Sequence, residues 1–124
     1  MIIPDVGVQV DTDYIEQESS ASEGRYVFAY TITIANHSDQ PIQLLNRHWV
    51  ITNGEGSVQE VRGEGVVGQQ PRVPPERGFR YTSGCVLETP VGTMEGAYEF
   101  IDALGQPFDV PIPVFTLSAP NALH

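Results

Sequence analysis

A glycine triplet with the spacing Gly-x-Gly-x-x-Gly lies near the middle of the chain, and an arginine flanks it on each side. Backbone N–H groups in such a segment can approach a phosphate closely, and a guanidinium binds phosphate through two parallel hydrogen bonds. The segment 61–80 contains four of the six arginines, although the whole chain carries a formal charge of −10. The candidate residues for binding an anion or a partner protein are Arg62, Gly63, Gly65, Gly68 and Arg72.

The motif has three interpretations, of which one can be excluded. A dinucleotide site requires a helix that begins within the motif, and Pro71, Pro74 and Pro75 follow too closely for such a helix. Consecutive N–H groups of a glycine-rich turn could still form an anion-binding nest without a helix. Alternatively, the glycines permit a bulge, a close approach of the sheets or a strand that crosses between them. These last two interpretations remain open.

Other residues with reactive side chains do not form a recognisable catalytic or metal-binding pattern. The nucleophile motif Gly-x-Ser-x-Gly is absent, and the alternation of residues places Ser83 and Cys85 on the same core face as Phe79, Tyr81 and Leu87. None of the three histidines has the spacing of a metal-ligand pair. We therefore predict no catalytic residue, no metal site and no cofactor.

The elements that must position these residues are short strands. Glycine and proline interrupt the chain at short intervals, and β-branched and aromatic residues alternate with polar residues between them. This pattern predicts an all-β protein with one domain over residues 1–124, folded as a two-sheet antiparallel β-sandwich of immunoglobulin or fibronectin type III-like architecture. A small barrel is the alternative. About seven strands are predicted, at 5–17, 25–37, 42–53, 57–67, 79–89, 93–103 and 107–118.

The composition excludes several classes of partner. A sequence pI near 4.4 and the absence of lysine argue against binding to nucleic acid or to anionic membranes, which require clustered positive charge. No segment approaches the roughly 20 apolar residues of a membrane-spanning helix. The N-terminal residues do not resemble a signal peptide, and one cysteine cannot form an internal disulfide. We therefore expect a cytoplasmic protein without a membrane-inserted segment.

Several blocks of the sequence resemble the bacterial ApaG family in their order and spacing. They are Leu44–Thr52, Val61–Pro71, Phe79–Pro90, Gly92–Tyr98 and Phe108–Leu117. The resemblance implies a fibronectin type III-like sandwich in which the glycine triplet occupies the family's glycine motif. It also implies a genetic link to cobalt resistance, magnesium efflux and a dinucleoside tetraphosphatase. Related domains in larger eukaryotic proteins are thought to mediate protein contacts.

These observations favour a non-enzymatic module that binds a partner protein through its arginine-bearing segment. The alternative is a phosphate or nucleotide sensor that uses Gly63, Gly65 and Gly68 together with Arg62. Any effect on cobalt or magnesium would then be regulatory, or would use weak carboxylate sites. Exposed sheet edges also leave open the formation of a homodimer.

Overall fold

The computed structural model of the chain describes residues 3–120 and confirms the predicted all-β sandwich. Two short 3-10 turns follow the first strand, at Glu16–Glu18 and Ala21–Glu23. The eight strands in the described part of the chain are β1 (Val6–Tyr14), β2 (Tyr26–Asn36), β3 (Ile42–Asn53), β4 (Val58–Glu64), β5 (Arg72–Val73), β6 (Gly78–Leu87), β7 (Val91–Ile101) and β8 (Pro107–Ser118). The predicted domain boundaries, 1 and 124, lie outside the described residues.

Two antiparallel sheets make up the sandwich. One sheet has the order β1-β2-β6, and the other has the order β4-β3-β7-β8, with the two-residue strand β5 added to β3. The sequence did not predict β5, because two residues are too few to show an alternation. The strand predicted over 57–67 ends at Glu64, because the next residue, Gly65, adopts a positive φ of 66° and the chain turns there.

The core lies between the two sheets and follows the predicted alternation. In β2, Tyr30, Ile32 and Ile34 point inward and are buried, whereas Thr31 lies on the opposite face. Residues of the second sheet, including Trp49 and Tyr98, pack against them. Trp49 forms an edge-on aromatic contact with Tyr30 that joins the sheets across the core, and a second one with Tyr98 of its own sheet. Within residues 3–120, no helix is long and apolar enough to cross a membrane.

A bulge in β3 changes which of its side chains face the core. The pairing of β3 with β7 shifts register between Leu44 and Asn46. Before the shift, Leu44 is buried, whereas after it the buried side chain is that of Trp49. Because side chains in a strand alternate between faces, the shift places Arg47 on the inner face with Trp49.

The two long sides of the sandwich differ. On one side, β1 of the first sheet packs beside β8 of the second. On the other side lie the outermost strands β6 and β4, and within the described residues neither of them pairs with a further strand on its outer edge. Cavities between β4 and β6 show that the sandwich is open along this side.

A hydrogen bond between two buried tyrosines also connects the sheets. The hydroxyl groups of Tyr81 in β6 and Tyr98 in β7 are bonded to each other in the core. Burial raises the pKa of both phenols well above their ordinary range, because an ionised phenolate would lose its hydration there. Both groups therefore remain neutral in the folded protein far into the alkaline range.

The raised tyrosine pKa values predict a loss of stability at high pH. Above a pH of about 10, the ordinary pKa of tyrosine, the unfolded chain releases protons that the folded protein retains. The free energy of unfolding should therefore fall by about 1.4 kcal/mol per pH unit for each such tyrosine. Urea denaturation between about pH 8 and 11 would measure this slope. Tyr98→Phe should make the slope shallower, and an unchanged slope in this variant would contradict the assignment.

Candidate functional site

The end of the glycine motif is a tight two-residue turn. The N–H of Val66 donates to the carbonyl of Gln69 at 2.8 Å, and the N–H of Gln69 donates back to the carbonyl of Val66 at 2.9 Å. Both central residues have positive φ, 43° at Val67 and 78° at Gly68, as a type I′ turn requires. The side chain of Val66 is buried in the core and anchors this turn.

Gly65 connects β4 to this turn and has no room for a side chain. Its φ is +66°, and a Cβ atom would lie 2.3 Å from the carbonyl oxygen of Gln69. Its N–H donates to the carbonyl of Leu45 at 2.7 Å. The N–H groups of residues 65, 66 and 69 thus already have carbonyl acceptors within the chain. An anion-binding nest would have to use other N–H groups of the loop.

Gly63 makes space for a guanidinium group of the same chain. It lies opposite Arg47 in the pairing of β4 with β3, and a Cβ atom at Gly63 would lie 2.6 Å from the Cζ atom of Arg47. Nη1 of Arg47 donates to the carbonyl of Glu64 at 3.0 Å and to that of Gly65 at 2.9 Å. The glycine motif therefore surrounds a cation that belongs to the protein.

The arginines selected from the sequence do not meet at this motif. Arg62 lies on the outer face of β4, where its Nη2 is 3.3 Å from Oε1 of Glu60. That carboxylate also contacts Nε2 of His48 at 2.6 Å, and the hydrogen bond from His48, followed by the charge of Arg62, lowers the pKa of Glu60. Arg72 is exposed in β5 opposite Gln43. The structure thus places the three glycines at the end of β4 and in the turn that follows it, but separates the two arginines.

A groove runs between the open edges of the two sheets, and we refer to it as the β4/β6 groove. It consists of three neighbouring cavities of about 250, 320 and 320 Å³. The two larger cavities share the side chains of Tyr30, Arg47, Trp49 and Ser83. The smaller cavity continues past Ile51 and Gln59 to the start of β4 and the end of β6. The groove therefore follows the whole length of β4.

Exposed apolar side chains cluster along this groove. Val58, Val67 and Val86 are 65%, 53% and 52% exposed, and each lines one or two of the three cavities. Val58 and Val86 have the same parity as Arg62 and Arg80, so they lie at the rims of the groove, on the outer faces of β4 and β6. The three valines account for half of the six large hydrophobic side chains that are exposed in residues 3–120. This clustering makes the groove a candidate binding surface, whereas single exposed apolar residues need no explanation.

Arg47 is a candidate functional residue that sequence analysis missed. The sequence did contain a signal for it. In the strand predicted over 42–53, the apolar residues are even-numbered at Ile42 and Leu44 but odd-numbered at Trp49 and Ile51. That change of parity indicates a bulge and moves Arg47 to the core face. An arginine on a core face is unusual enough to suggest a role.

A larger depression, of about 670 Å³, lies on the outer face of the five-stranded sheet. Its polar side chains are largely bonded to one another or to their neighbours. Asn46 donates to Glu99 at 2.6 Å, and His48 and Arg62 both contact Glu60. Arg47 lines both this depression and the β4/β6 groove. The groove, which also has apolar walls and lies between the edges of β4 and β6, is the stronger candidate for a binding site.

Ser83 and Cys85 occupy the positions that the sequence predicted for them. Both lie on the inner face of β6, where Ser83 pairs with Tyr30 and Cys85 pairs with Phe28. Burial raises the pKa of the Cys85 thiol, so the thiol remains protonated near neutral pH. In residues 3–120, no three side chains of His, Cys, Asp or Glu are grouped as a metal site would require.

The turn geometry predicts that Val67→Asn stabilises the protein. A β-branched residue is strained in the left-handed region by about 1–2 kcal/mol, and Asn-Gly is a preferred pair for a type I′ turn. We expect the free energy of unfolding to rise by about 1 kcal/mol, as measured by urea denaturation. The matched variant Val86→Asn, in the regular strand β6, should not be stabilised. Destabilisation by Val67→Asn would argue against the type I′ turn.

Replacing Gly65 or Gly63 by alanine should destabilise the protein by different amounts. In Gly65→Ala the new Cβ atom would clash with a backbone carbonyl, and alanine would be strained at this positive φ. We therefore expect the free energy of unfolding to fall by at least about 2 kcal/mol. Gly63→Ala meets only the end of the Arg47 side chain, which can move, and should cost less. Thermal and urea denaturation of both variants would test this order, and equal costs would contradict it.

Comparison with known proteins agrees with this architecture. The ApaG domain family matches residues 16–102. The ApaG protein of Salmonella arizonae is 55% identical over 121 residues, which cover 98% of this chain and 97% of that protein. A crystal structure from Bordetella pertussis, described as an ApaA protein, has a TM-score of 0.92 and 51% identity, covering 95% of this chain and 96% of that one. An X-ray structure of a structural genomics target has a TM-score of 0.91 and 46% identity, covering 96% of this chain and 90% of that one. The chain belongs to the ApaG family.

Proposed function

We propose that this ApaG-family protein is a non-enzymatic binding module that holds an extended segment of a partner protein in the β4/β6 groove. The observation that carries the proposal is the groove itself, which lies between two strand edges that are unpaired within residues 3–120 and has exposed valines at its rims. The buried, protonated thiol of Cys85 supports a binding role over nucleophilic catalysis.

The lengths of the two strand edges suit an extended peptide. β4 has seven residues and β6 has ten, and seven residues at roughly 3.3 Å each span about 23 Å. A peptide that adds to such an edge forms backbone hydrogen bonds, while its alternate side chains enter the groove. Backbone bonds would supply affinity, and the cavities would supply specificity.

The distribution of proline supports this choice of edge. Edge strand β8 contains Pro107, Pro111 and Pro113, and proline at an edge prevents pairing with another strand. Neither β4 nor β6 contains proline. Of these edges, the protein therefore protects β8 and leaves the two beside the groove able to pair.

The arginine-bearing segment 61–80 has a place in this proposal. It includes the end of β4, the glycine turn, β5 and the start of β6, so it connects the two rims of the groove. A partner in the groove would lie along this segment, as the sequence analysis expected. The partner would contact the backbone of this segment and the side chain of Val67, and it would not contact Arg62 or Arg80, because these lie on outer faces of the two sheets.

The alternative, a phosphate or nucleotide sensor at Gly63, Gly65 and Gly68, is less well supported. Three N–H groups of this loop already donate to carbonyls, and Arg62 is turned toward Glu60. In the proposed role, the protein acts in the cytoplasm, and any effect on cobalt or magnesium passes through the bound partner.

Peptide selection followed by NMR tests the proposed function. Binders selected from a random twelve-residue library should shift backbone amides of Val58–Glu64 and Gly78–Leu87 in labelled protein. Val86→Lys at the rim should weaken binding by roughly tenfold, since it removes apolar contact at a hot spot. Val114→Lys, at an exposed valine of β8, is the matched control and should bind normally.

Several results would contradict the proposal. Amide shifts confined to β8 or to the outer face of the five-stranded sheet would place the partner elsewhere. Pyrophosphate or ATP that shifts the amides of residues 65–68, in the absence of peptide binding, would favour the sensor. A concentration-dependent dimer that covers the same amides would identify a second copy of the chain as the occupant.

A further inference from the structure

We infer that the β4/β6 groove selects an acidic segment, in which one Glu or Asp carboxylate pairs with Arg47 while neighbouring apolar side chains contact the exposed valines. The inference rests on the proposed function and adds the chemical class of the partner. It follows from the donors of Arg47, the charges around it and the order of side chains along the groove.

Arg47 retains hydrogen-bond donors that the fold does not use. Its Nη1 donates to the carbonyls of Glu64 and Gly65, whereas no acceptor is found for Nε or Nη2. Every buried side-chain nitrogen or oxygen in residues 3–120 has a partner, so these remaining donors reach solvent. Nε and Nη2 form one edge of the guanidinium, and this edge matches the two oxygens of a carboxylate.

No carboxylate of the described residues forms an ion pair with Arg47. The ion pairs in this part of the chain join Glu60 to His48 and to Arg62, and both lie on the outer face of the sheet. Arg47 is half-buried and lines the two larger cavities together with Tyr30 and Trp49, and it also borders the depression on the outer face of the sheet. A half-buried cation gains more from an incoming anion than an exposed one does, because water screens the pair less.

The size of this charge favours a carboxylate over a phosphate. Arg47 is the only cationic residue that lines the three cavities of the groove. One guanidinium balances one negative charge, whereas a phosphate monoester carries nearly two at neutral pH. Glu64 lines the same cavity as Arg47, and the chain carries −10 overall, so a second negative charge would be repelled.

The order of side chains along the groove predicts a sequence pattern. Val58 and Val86 lie at one end, Arg47 lies in the middle and Val67 lies at the other end. In an extended peptide every second side chain faces the same way. The predicted partner therefore has an acidic residue with apolar residues at alternate positions on both sides of it.

Tryptophan fluorescence provides a direct test. Trp49 is the only tryptophan of the chain, is 3% exposed and lines both larger cavities. We would titrate capped seven-residue peptides of the form Thr-Val-Thr-Glu-Thr-Val-Thr, with Gln, Lys or phosphoserine in place of Glu. The Glu peptide should bind roughly tenfold to a hundredfold more tightly than the Gln peptide, as expected for a charge-assisted pair.

Two variants of equal charge change separate Arg47 from the net charge. Arg47→Gln should reduce the Glu-over-Gln preference to near one. Arg80→Gln, on the outer face of β6, should preserve that preference. Should Arg47→Gln fail to fold, the comparison of the four peptides on the unaltered protein still decides the question.

The outcomes distinguish this inference from the proposed function. Equal binding of the Glu and Gln peptides, with amide shifts in β4 and β6, would overturn the carboxylate preference and leave the groove function intact. Tighter binding of the phosphoserine peptide than of the Glu peptide would also overturn it. If no peptide changes the emission of Trp49 or any groove amide at millimolar concentration, both proposals fail.

Discussion

The contact between the Arg47 guanidinium and Gly63 is the constraint on which the open side of the sandwich depends. The bulge in β3 directs Arg47 inward, and the missing side chain at Gly63 provides the space that the guanidinium fills. A cation buried without a counter-charge would cost several kcal/mol, so it must keep some contact with water. The carbonyls of Glu64 and Gly65 satisfy one nitrogen, and the solvent in the groove hydrates the rest. The sheets cannot close over Arg47 without removing that water.

The protein places polar groups between its sheets in two different ways. The hydroxyls of Tyr81 and Tyr98 are neutral and bond to each other, so the core can bury them completely. Arg47 is charged, and its guanidinium has more N–H donors than the described residues supply acceptors for. The first arrangement holds the sheets together, whereas the second keeps them apart at the edge. A closed core and an open groove therefore follow from the charge of the groups that each contains.

The sequence predicted those features that depend on local periodicity. Alternation in segments such as Tyr26–Ala35 was sufficient to predict the strands, the inner faces and the positions of Ser83 and Cys85. Features that depend on a single residue or on tertiary contacts were not accessible in this way. The two residues of β5 show no period, and the bulge at residue 45 reverses parity without any glycine or proline to mark it. The reversal of parity can be read from the sequence, but the proposed role of Arg47 also depends on Gly63 lying opposite it, which only the structure shows.

The glycine motif illustrates why a spacing does not determine a chemistry. Glycine contributes two physical properties, the absence of a Cβ atom and access to positive φ. In a dinucleotide site these properties allow the backbone to approach a pyrophosphate at a helix N-terminus. Here Gly65 and Gly68 turn the chain with positive φ, and Gly63 admits a guanidinium. The motif would thus act on a ligand indirectly, because it orients the cation that the ligand meets and need not contact the ligand itself. Substitutions at Gly63 should then alter binding through the position of Arg47, even where the fold is preserved.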